Sequence, residues 1–306
     1  MKRTIRIGTR GSQLALVQSR WVQACVQRQL PDFTVELVTI TTSGDRFVEQ
    51  PLSLIGGKGL FVKEIEEALQ SGVIDCAVHS LKDVPGELAP GLVLAAIPPR
   101  EDVRDVLITT DGRRLDQLVP GARVGTSSLR RMALVRAARP DLEVVNLRGN
   151  VDTRLRKLDR GDFGAVILAA AGLNRLGIKR SGVAYCDPGE FVPAIGQGAL
   201  AIESRADQTA ALLAPLDDTI TRSAVVAERA FLARAGGSCR TPLAAHATIT
   251  EHHLVLRALI ASPDGRQVVR GERRGAAVDG AALGAELAEE LLGKGGAEIL
   301  RALLAN

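Results

Sequence analysis

GTRGSQLAL (residues 8–16) and GTSSLRRMAL (residues 125–134) together decide the fold. The first follows the apolar run TIRIG (4–8), and the second follows ARVG (122–125). Each then presents Gly-Thr, a serine and a helix-forming stretch. An apolar run that turns directly into a helix is the opening of a βα unit. Two such openings in one chain predict two α/β lobes. The serines stand where a helix N-cap belongs. A helix N-terminus has unpaired N–H groups and a partial positive charge, so it can hold an anion. Arg10, Arg130 and Arg131 add fixed charge and bidentate forks beside the two caps. Either motif alone reads as readily as plain capping by Ser12 or Ser128; the matched pair favours a cleft for an anionic ligand.

Working outward, the first lobe continues the alternation. SQLALVQSRWVQACVQRQL (12–30) predicts a helix, with Leu14, Val17, Trp21 and Cys25 recurring near helical spacing until Pro31 stops it. TVELVTIT (34–41), IDCAVHS (74–80) and LVLAAI (92–97) predict strands, and FVKEIEEALQSG (61–72) a helix closed by Gly72. The second lobe starts near residue 103. EVVNL (143–147) and GAVILAAA (164–171) predict strands there, with helices over 128–139 and 152–161. The result is a mostly parallel sheet in each lobe. Pro-Pro-Arg-Glu-Asp at 98–102 predicts a hinge. From about residue 220 the pattern changes to helix (221–237), a strand–turn–strand around Pro-Asp-Gly (253–275) and a closing helix (280–306), a small α+β part.

The totals narrow the function. The 306 residues are 46% apolar and 24% charged, an ordinary globular balance large enough for two or three domains. Residues 123–160 hold nine Arg, one Lys and four acidic groups, a net of +6, so the remainder is about −2 against the total of +4. A local basic surface of this kind attracts phosphates or carboxylates. Aromatic residues are only 3%, too few for the stacking platforms that single-stranded nucleic acid needs. No apolar run reaches membrane-spanning length, and the basic N-terminus leads into no apolar signal region. Cys25, Cys76, Cys186 and Cys239 are scattered, with no metal spacing and no disulfide framework, so a reducing cytoplasm and no metal are expected.

Several short motifs carry weaker signals. GGKGLF (56–61) lacks the Ser or Thr that a phosphate loop needs after its lysine. It reads instead as a glycine-rich segment carrying Lys58 and Phe61 over a cleft. GQGALA (196–201) precedes a strand instead of a helix, which removes the dinucleotide reading. HSLKDVP (79–85) leaves a strand end, where ligands bind in open α/β sheets, and offers Asp83; His79, Ser80 and Asp83 stand too close in sequence for a hydrolase triad. Asp83 there is either a general acid–base group or a surface turn residue paired with Lys82. LRGNVDTRLRKL (147–158) reads as a basic helix, with Arg148 beside Gly149 as its least ordinary member. His252 and His253 read as hairpin residues. In AGGSCRTP (235–242), Cys239 follows a helix C-terminus, where the helix dipole disfavours thiolate, a poor place for a turnover nucleophile.

Taken together, IGTRGSQLAL, GGKGLFVKEIE, AVHSLKDVP, VGTSSLRRMAL, LRGNVDTRL, ILAAAGLNRLG, PAIGQGALAIE and SCRTP resemble the porphobilinogen deaminase family, in its order and over nearly the whole chain. The resemblance implies two lobes like those of type II periplasmic binding proteins and a third domain. Their bounds are 1–98 with 199–217, 103–194, and 221–306. It implies a transferase that condenses four porphobilinogen molecules head to tail, releases ammonia each time and yields the linear tetrapyrrole hydroxymethylbilane. It implies a covalent dipyrromethane cofactor on Cys239, Asp83 as catalytic aspartate, and porphobilinogen as the small acidic partner. Arg10, Ser12, Lys82, Thr126, Ser128, Arg130, Arg131, Arg148, Arg154 and Arg175 match positions lining the family's cleft, and Lys58 and Ser80 are assigned there with them. A cytoplasmic monomer with no nucleic acid or membrane partner is expected. Position 54 is Leu, where some members carry lysine, and Ser238 separates Gly237 from Cys239. The competing function is a non-catalytic two-lobed anion-binding protein, which has no need of Cys239 or of the third domain.

Overall fold

A computed structural model describes residues 3–46, 62–236 and 241–304. The strands are β1 (Arg3–Thr9), β2 (Phe33–Thr39), β3 (Cys76–Ser80), β4 (Leu92–Ala96), β5 (Asp105–Ile108), β6 (Arg123–Gly125), β7 (Glu143–Val145), β8 (Ala165–Ala169), β9 (Val183–Tyr185), β10 (Leu200–Arg205), β11 (Leu243–Thr250), β12 (His253–Ala261) and β13 (Val268–Ala276). The helices are α1 (Gln13–Gln29), α2 (Ser43–Arg46), α3 (Lys63–Gln70), α4 (Leu129–Ala138), α5 (Val151–Asp159), α6 (Ala170–Arg175), α7 (Gln208–Leu213), α8 (Thr219–Ala235), α9 (Gly280–Leu291) and α10 (Ala297–Leu304). The chain divides into two compact units, Met1–Glu101 with Gly198–Arg222, and Asp102–Gln197 with Ser223–Asn306.

The first unit holds one five-stranded sheet in the order β2-β1-β3-β10-β4. The second holds a five-stranded sheet in the order β7-β6-β8-β5-β9 and a three-stranded sheet, β11-β12-β13. The two larger sheets repeat one plan. β1 pairs in parallel with β2 and β3, and β6 pairs in parallel with β7 and β8. In each sheet one strand runs against its neighbours: β10 is antiparallel to β3 and β4, and β5 to β8 and β9. That strand is in each case the first that the chain lays down on entering the unit from the other one. The fold class is therefore the expected α/β pair of lobes with a small α+β C-terminal part.

The echoed glycines have the same physical cause. A Cβ on Gly8 would lie 2.3 Å from Ile74 Cδ1, and one on Gly125 would lie 2.7 Å from Leu147 Cδ2 and 2.9 Å from Phe163 Cδ1. At both strand ends an apolar side chain fills the space that any other residue would need.

Helix α1 forms where expected, and its inner face is not the stripe of Leu14, Val17, Trp21 and Cys25. Gln18, Ser19, Val22 and Val26 are buried, while Trp21 is exposed. Two polar anchors set this rotation: Ser19 Oγ donates to Thr9 Oγ1 at 2.7 Å, and Gln18 Nε2 donates to Ser80 Oγ at 3.0 Å. Val22 and Val26 then pack on Ile5, Ile7 and Val78, and α3 covers the sheet with Ile65 and Leu69 against Ile74 and Ala77.

In the second unit α4 packs Ala133, Leu134 and Val135 in a core that also takes Ala244, Leu259 and Ala261 from the C-terminal sheet. The remaining C-terminal core gathers Phe231 of α8, Leu287 and Leu291 of α9, and Leu254 and Leu256 of β12. Helices α8 and α9 touch backbone to side: a Cβ on Gly284 would lie 2.2 Å from Ala227 O. Gly284→Ala is expected to destabilise the protein by about 1–3 kcal/mol, because backbone cannot swing aside as a side chain can. A thermal melt of the variant checks this; an unchanged midpoint contradicts it.

Candidate active site

The segments that leave the C-terminal ends of the parallel strands carry several of the sequence-nominated residues, where open α/β sheets bind ligands. In the first unit β1 ends at Thr9, and Arg10, Gly11 and Ser12 lead into α1. Ser12 has extended backbone, and its Oγ accepts from Ala15 N–H at 3.3 Å, so the capping reading of Ser12 holds. Strand β3 ends at Ser80 and passes into a single 3₁₀ turn, Leu81–Asp83. Leu81 is buried, and its N–H donates to Ala199 O at 3.0 Å, which pins the turn to the sheet. Lys82 and Asp83 ride on this anchor toward solvent. Arg10, Ser12, Gln18, Ser80 and Asp83 line one pocket. Gln18 was not among the sequence-nominated residues. Its only signal was a glutamine inside a helix whose neighbours are apolar.

Behind this pocket lies a buried pair. His79 Nε2 is 2.9 Å from Glu203 Oε2, and both side chains are almost fully out of solvent. Neither Glu203 oxygen has another hydrogen-bond partner among the described residues. Burial pushes the nearby Glu66 carboxyl up, and the charge of Glu203 adds to this.

In the second unit β6 ends at Gly125, and Thr126 is buried with its Oγ1 accepting from Ser128 N–H at 3.2 Å. Ser128 caps α4, accepting from Arg131 N–H at 3.4 Å. Arg130 and Arg131 turn inward instead of standing open to solvent. They are 3% and 6% exposed, and each pairs with the fully buried Asp105 at 2.7 Å. Arg130 also donates to Val192 O at 2.8 Å and Arg131 to Ile167 O at 3.1 Å. Gln197 Nε2 donates to Asp105 Oδ1 at 2.9 Å and to Val103 O at 2.8 Å. Burial alone raises the carboxyl of Asp105, but the two guanidinium groups and their hydrogen bonds hold it well below the usual range. Sequence reasoning missed Asp105; an aspartate leading the apolar run DVLI was the available sign.

Arg148, Arg154 and Arg175 complete the basic set. Asn150 caps α5, accepting from Thr153 N–H at 2.9 Å, and Arg154 Nε donates to Gly149 O at 2.8 Å. Arg154 is pushed down to about 10 by burial and by the charges of Arg131 and Arg148. Arg175 ends α6. Lys58 and Cys239 lie outside the described residues. No helix among the described residues is long and apolar enough to cross a membrane.

Known proteins share this chain's sequence along its length. Residues 5–212 match the family model described as porphobilinogen deaminase, dipyromethane cofactor binding domain, and residues 223–293 match porphobilinogen deaminase, C-terminal domain. The porphobilinogen deaminase of Roseiflexus sp. (strain RS-1) is 53% identical over 308 residues, covering 100% of both chains. That of Syntrophotalea carbinolica is 52% identical over 301 residues, covering 98% of this chain and 96% of its own. That of Bordetella parapertussis is 50% identical over 303 residues, with 98% and 96% covered.

Proposed function

We propose the following residue roles from the premise that the chain belongs to the porphobilinogen deaminase family. It is a transferase of tetrapyrrole synthesis that works with a dipyrromethane cofactor on porphobilinogen, and the binding-only alternative is set aside. Four substrate molecules are joined head to tail with loss of ammonia, giving hydroxymethylbilane.

The substrate carries an acetate and a propionate, so a growing chain gains two carboxylates with each unit. Each one taken from water needs a cation or an N–H partner. Arg10, Lys58, Lys82, Arg148, Arg154 and Arg175 supply cations, and Ser12, Ser80, Thr126 and Ser128 supply hydroxyls near helix starts and strand ends. Arg130 and Arg131 add positive field from their seat on Asp105 and offer whatever fork atoms a ligand carboxylate can share. The observation that carries this reading is geometric: Arg10, Ser12, Ser80 and Asp83 line one pocket at the ends of β1 and β3. The same donor set suits the cofactor, whose carboxylates present the same chemistry. Bound through the sulfur of Cys239, the dipyrromethane supplies the pyrrole carbon onto which the first substrate unit is added.

Loss of ammonia leaves a cationic methylene group conjugated with the substrate's pyrrole ring. The Asp83 carboxylate, set at the strand end beside Ser80, orients the ring through its N–H and stabilises that cation. It also takes or returns a proton as the new carbon–carbon bond forms and the ring regains aromaticity. Three domains, 1–98 with 199–217, 103–194 and 221–306, a monomeric state, a cytoplasmic setting and the absence of a nucleic-acid partner belong to the same reading.

Intact-mass measurement of the purified protein tests it. The expected mass exceeds that of the bare chain by two porphobilinogen units, each less one ammonia, and Cys239→Ser loses the increment. An active protein of unmodified mass would overturn the cofactor assignment.

A further inference from the structure

The C-terminal sheet touches the arginine-bearing helix through backbone at one turn. The turn between β12 and β13 is closed by Ser262 N–H on Gln267 O at 2.8 Å and Gly265 N–H on Ser262 O at 2.9 Å. Side chains stiffen it: Gln267 N–H donates to Ser262 Oγ at 3.0 Å, and Arg266 N–H to Asp264 Oδ1 at 3.1 Å. Gly265 has φ +74, and a Cβ there would lie 2.6 Å from Ala133 O, 2.6 Å from Ala137 N and 2.8 Å from Arg136 Cβ. The turn therefore rests on the backbone of α4 itself. Arg136 Nη1 donates to Pro263 O at 2.7 Å and fastens the contact. Farther along the hairpin, Arg270 Nη1 donates to Glu190 O at 2.7 Å.

Helix α4 is thus held at two places. Its first turn is tied to Asp105 through Arg130 and Arg131, and its second half bears on the 262–267 turn. Ten residues of α-helix form a stiff rod of about 15 Å. A push on residues 133–137 therefore moves Ser128, Arg130 and Arg131 as well, because a close-packed interior transmits displacement.

We propose that the 262–267 turn is a positioning element for the anion site, and that glycine at 265 is what allows the turn to set the place of α4. The physical logic is that the C-terminal part bearing Cys239 must hold a fixed distance from the arginines that receive the carboxylates. This rests on the transferase reading above. Gly265 and Arg136 act through α4; neither is assigned contact with substrate.

The test compares Gly265→Ala, Arg136→Ala and Arg136→Lys as cofactor-loaded enzymes, with loading verified by mass. Gly265→Ala is expected to raise KM for porphobilinogen by about tenfold or more while kcat changes less, since misplacement of binding groups by about 1 Å costs up to about a hundredfold. Amides of the first turn of α4 should exchange faster in deuterium in the same variant. Arg136→Ala should shift both readouts in the same direction, and Arg136→Lys, which can still donate to Pro263 O, should recover part of the loss. A lowered melting temperature with wild-type KM and wild-type α4 exchange overturns the proposal. If Gly265→Ala does not fold, Arg136→Ala decides, and unchanged values there overturn it equally. Wild-type protein that consumes no porphobilinogen would refute the transferase reading instead, and the α4 exchange would still decide the contact.

Discussion

Asp83→Ala is expected to keep the protein folded and to lower turnover by about 10²–10⁴-fold, the usual scale for loss of a positioned acid–base group. The two halves of this expectation have separate grounds. The Asp83 side chain is exposed, and the turn that carries it is anchored by buried Leu81 and Val84. Exposed substitutions away from caps and cores change stability by about 0.5 kcal/mol or less. The same anchor places the carboxylate at the end of β3, in one pocket with Arg10, Gln18 and Ser80. Asp83→Asn separates charge from shape, because the amide keeps the size but cannot balance a cation. Steady-state rates and circular dichroism of both variants check the prediction. A wild-type rate in either folded variant would falsify the assignment of Asp83.

Asp105→Asn is expected to destabilise the protein by about 3–5 kcal/mol, the cost of removing one partner from a buried ion pair. Here one carboxylate answers two buried guanidinium groups at 2.7 Å each. Its loss leaves Arg130 and Arg131 facing each other out of solvent. The pH dependence has a definite sign. The folded-state pKa of Asp105 lies below the unfolded value of about 3.9, so its contribution is fully present above about pH 4. It is lost as pH falls from there toward the folded value. The wild type should therefore lose stability below about pH 4, and Asp105→Asn should lack that part of the acid limb. Denaturant unfolding at pH 7 and at pH 3 checks both statements. Equal midpoints for the two proteins at pH 7 would show that Asp105 is not the counter-charge of the arginine pair.

Much of the architecture was legible because the fold repeats local rules. The matched GTRGS and GTSS stretches marked a strand and the helix after it in each lobe, since close packing at the strand end excludes a side chain at Gly8 and Gly125; in the second lobe β5 precedes that strand and went unread. The strand–turn–strand at 253–275 was legible from Pro-Asp-Gly between the apolar run HLVLRALIA and a second stretch that opens on Val268 and Val269. Other elements were not. Strand β11 went unrecognised because LAAHATIT has a buried alanine-rich half and little alternation. Apolar spacing marked α1 as a helix but could not show which face is buried, because it cannot weigh the hydrogen bonds to Thr9 and Ser80. The run of local pattern also gave no sign that residues 200–205 return to the first sheet, between β3 and β4.

The site divides in the same way. Residue type and position nominated Ser12, Asp83, Ser128, Arg10, Arg130, Arg131 and Arg148, because capping and strand-end chemistry are local, while Ser80, Lys82, Arg154 and Arg175 came from the family resemblance. The partner of Arg130 and Arg131 was not local: Asp105 stands 26 residues from Arg131 and reaches it through the sheet. The same holds for Glu203 beside His79 and for the 262–267 turn on α4. Local sequence was enough for the α/β plan and for the family to which the chain belongs. The tertiary structure decided that Arg130 and Arg131 turn inward and share the buried Asp105. The reason is physical: pairing and burial depend on distances between segments far apart in the chain, and those distances exist only after the sheets have closed.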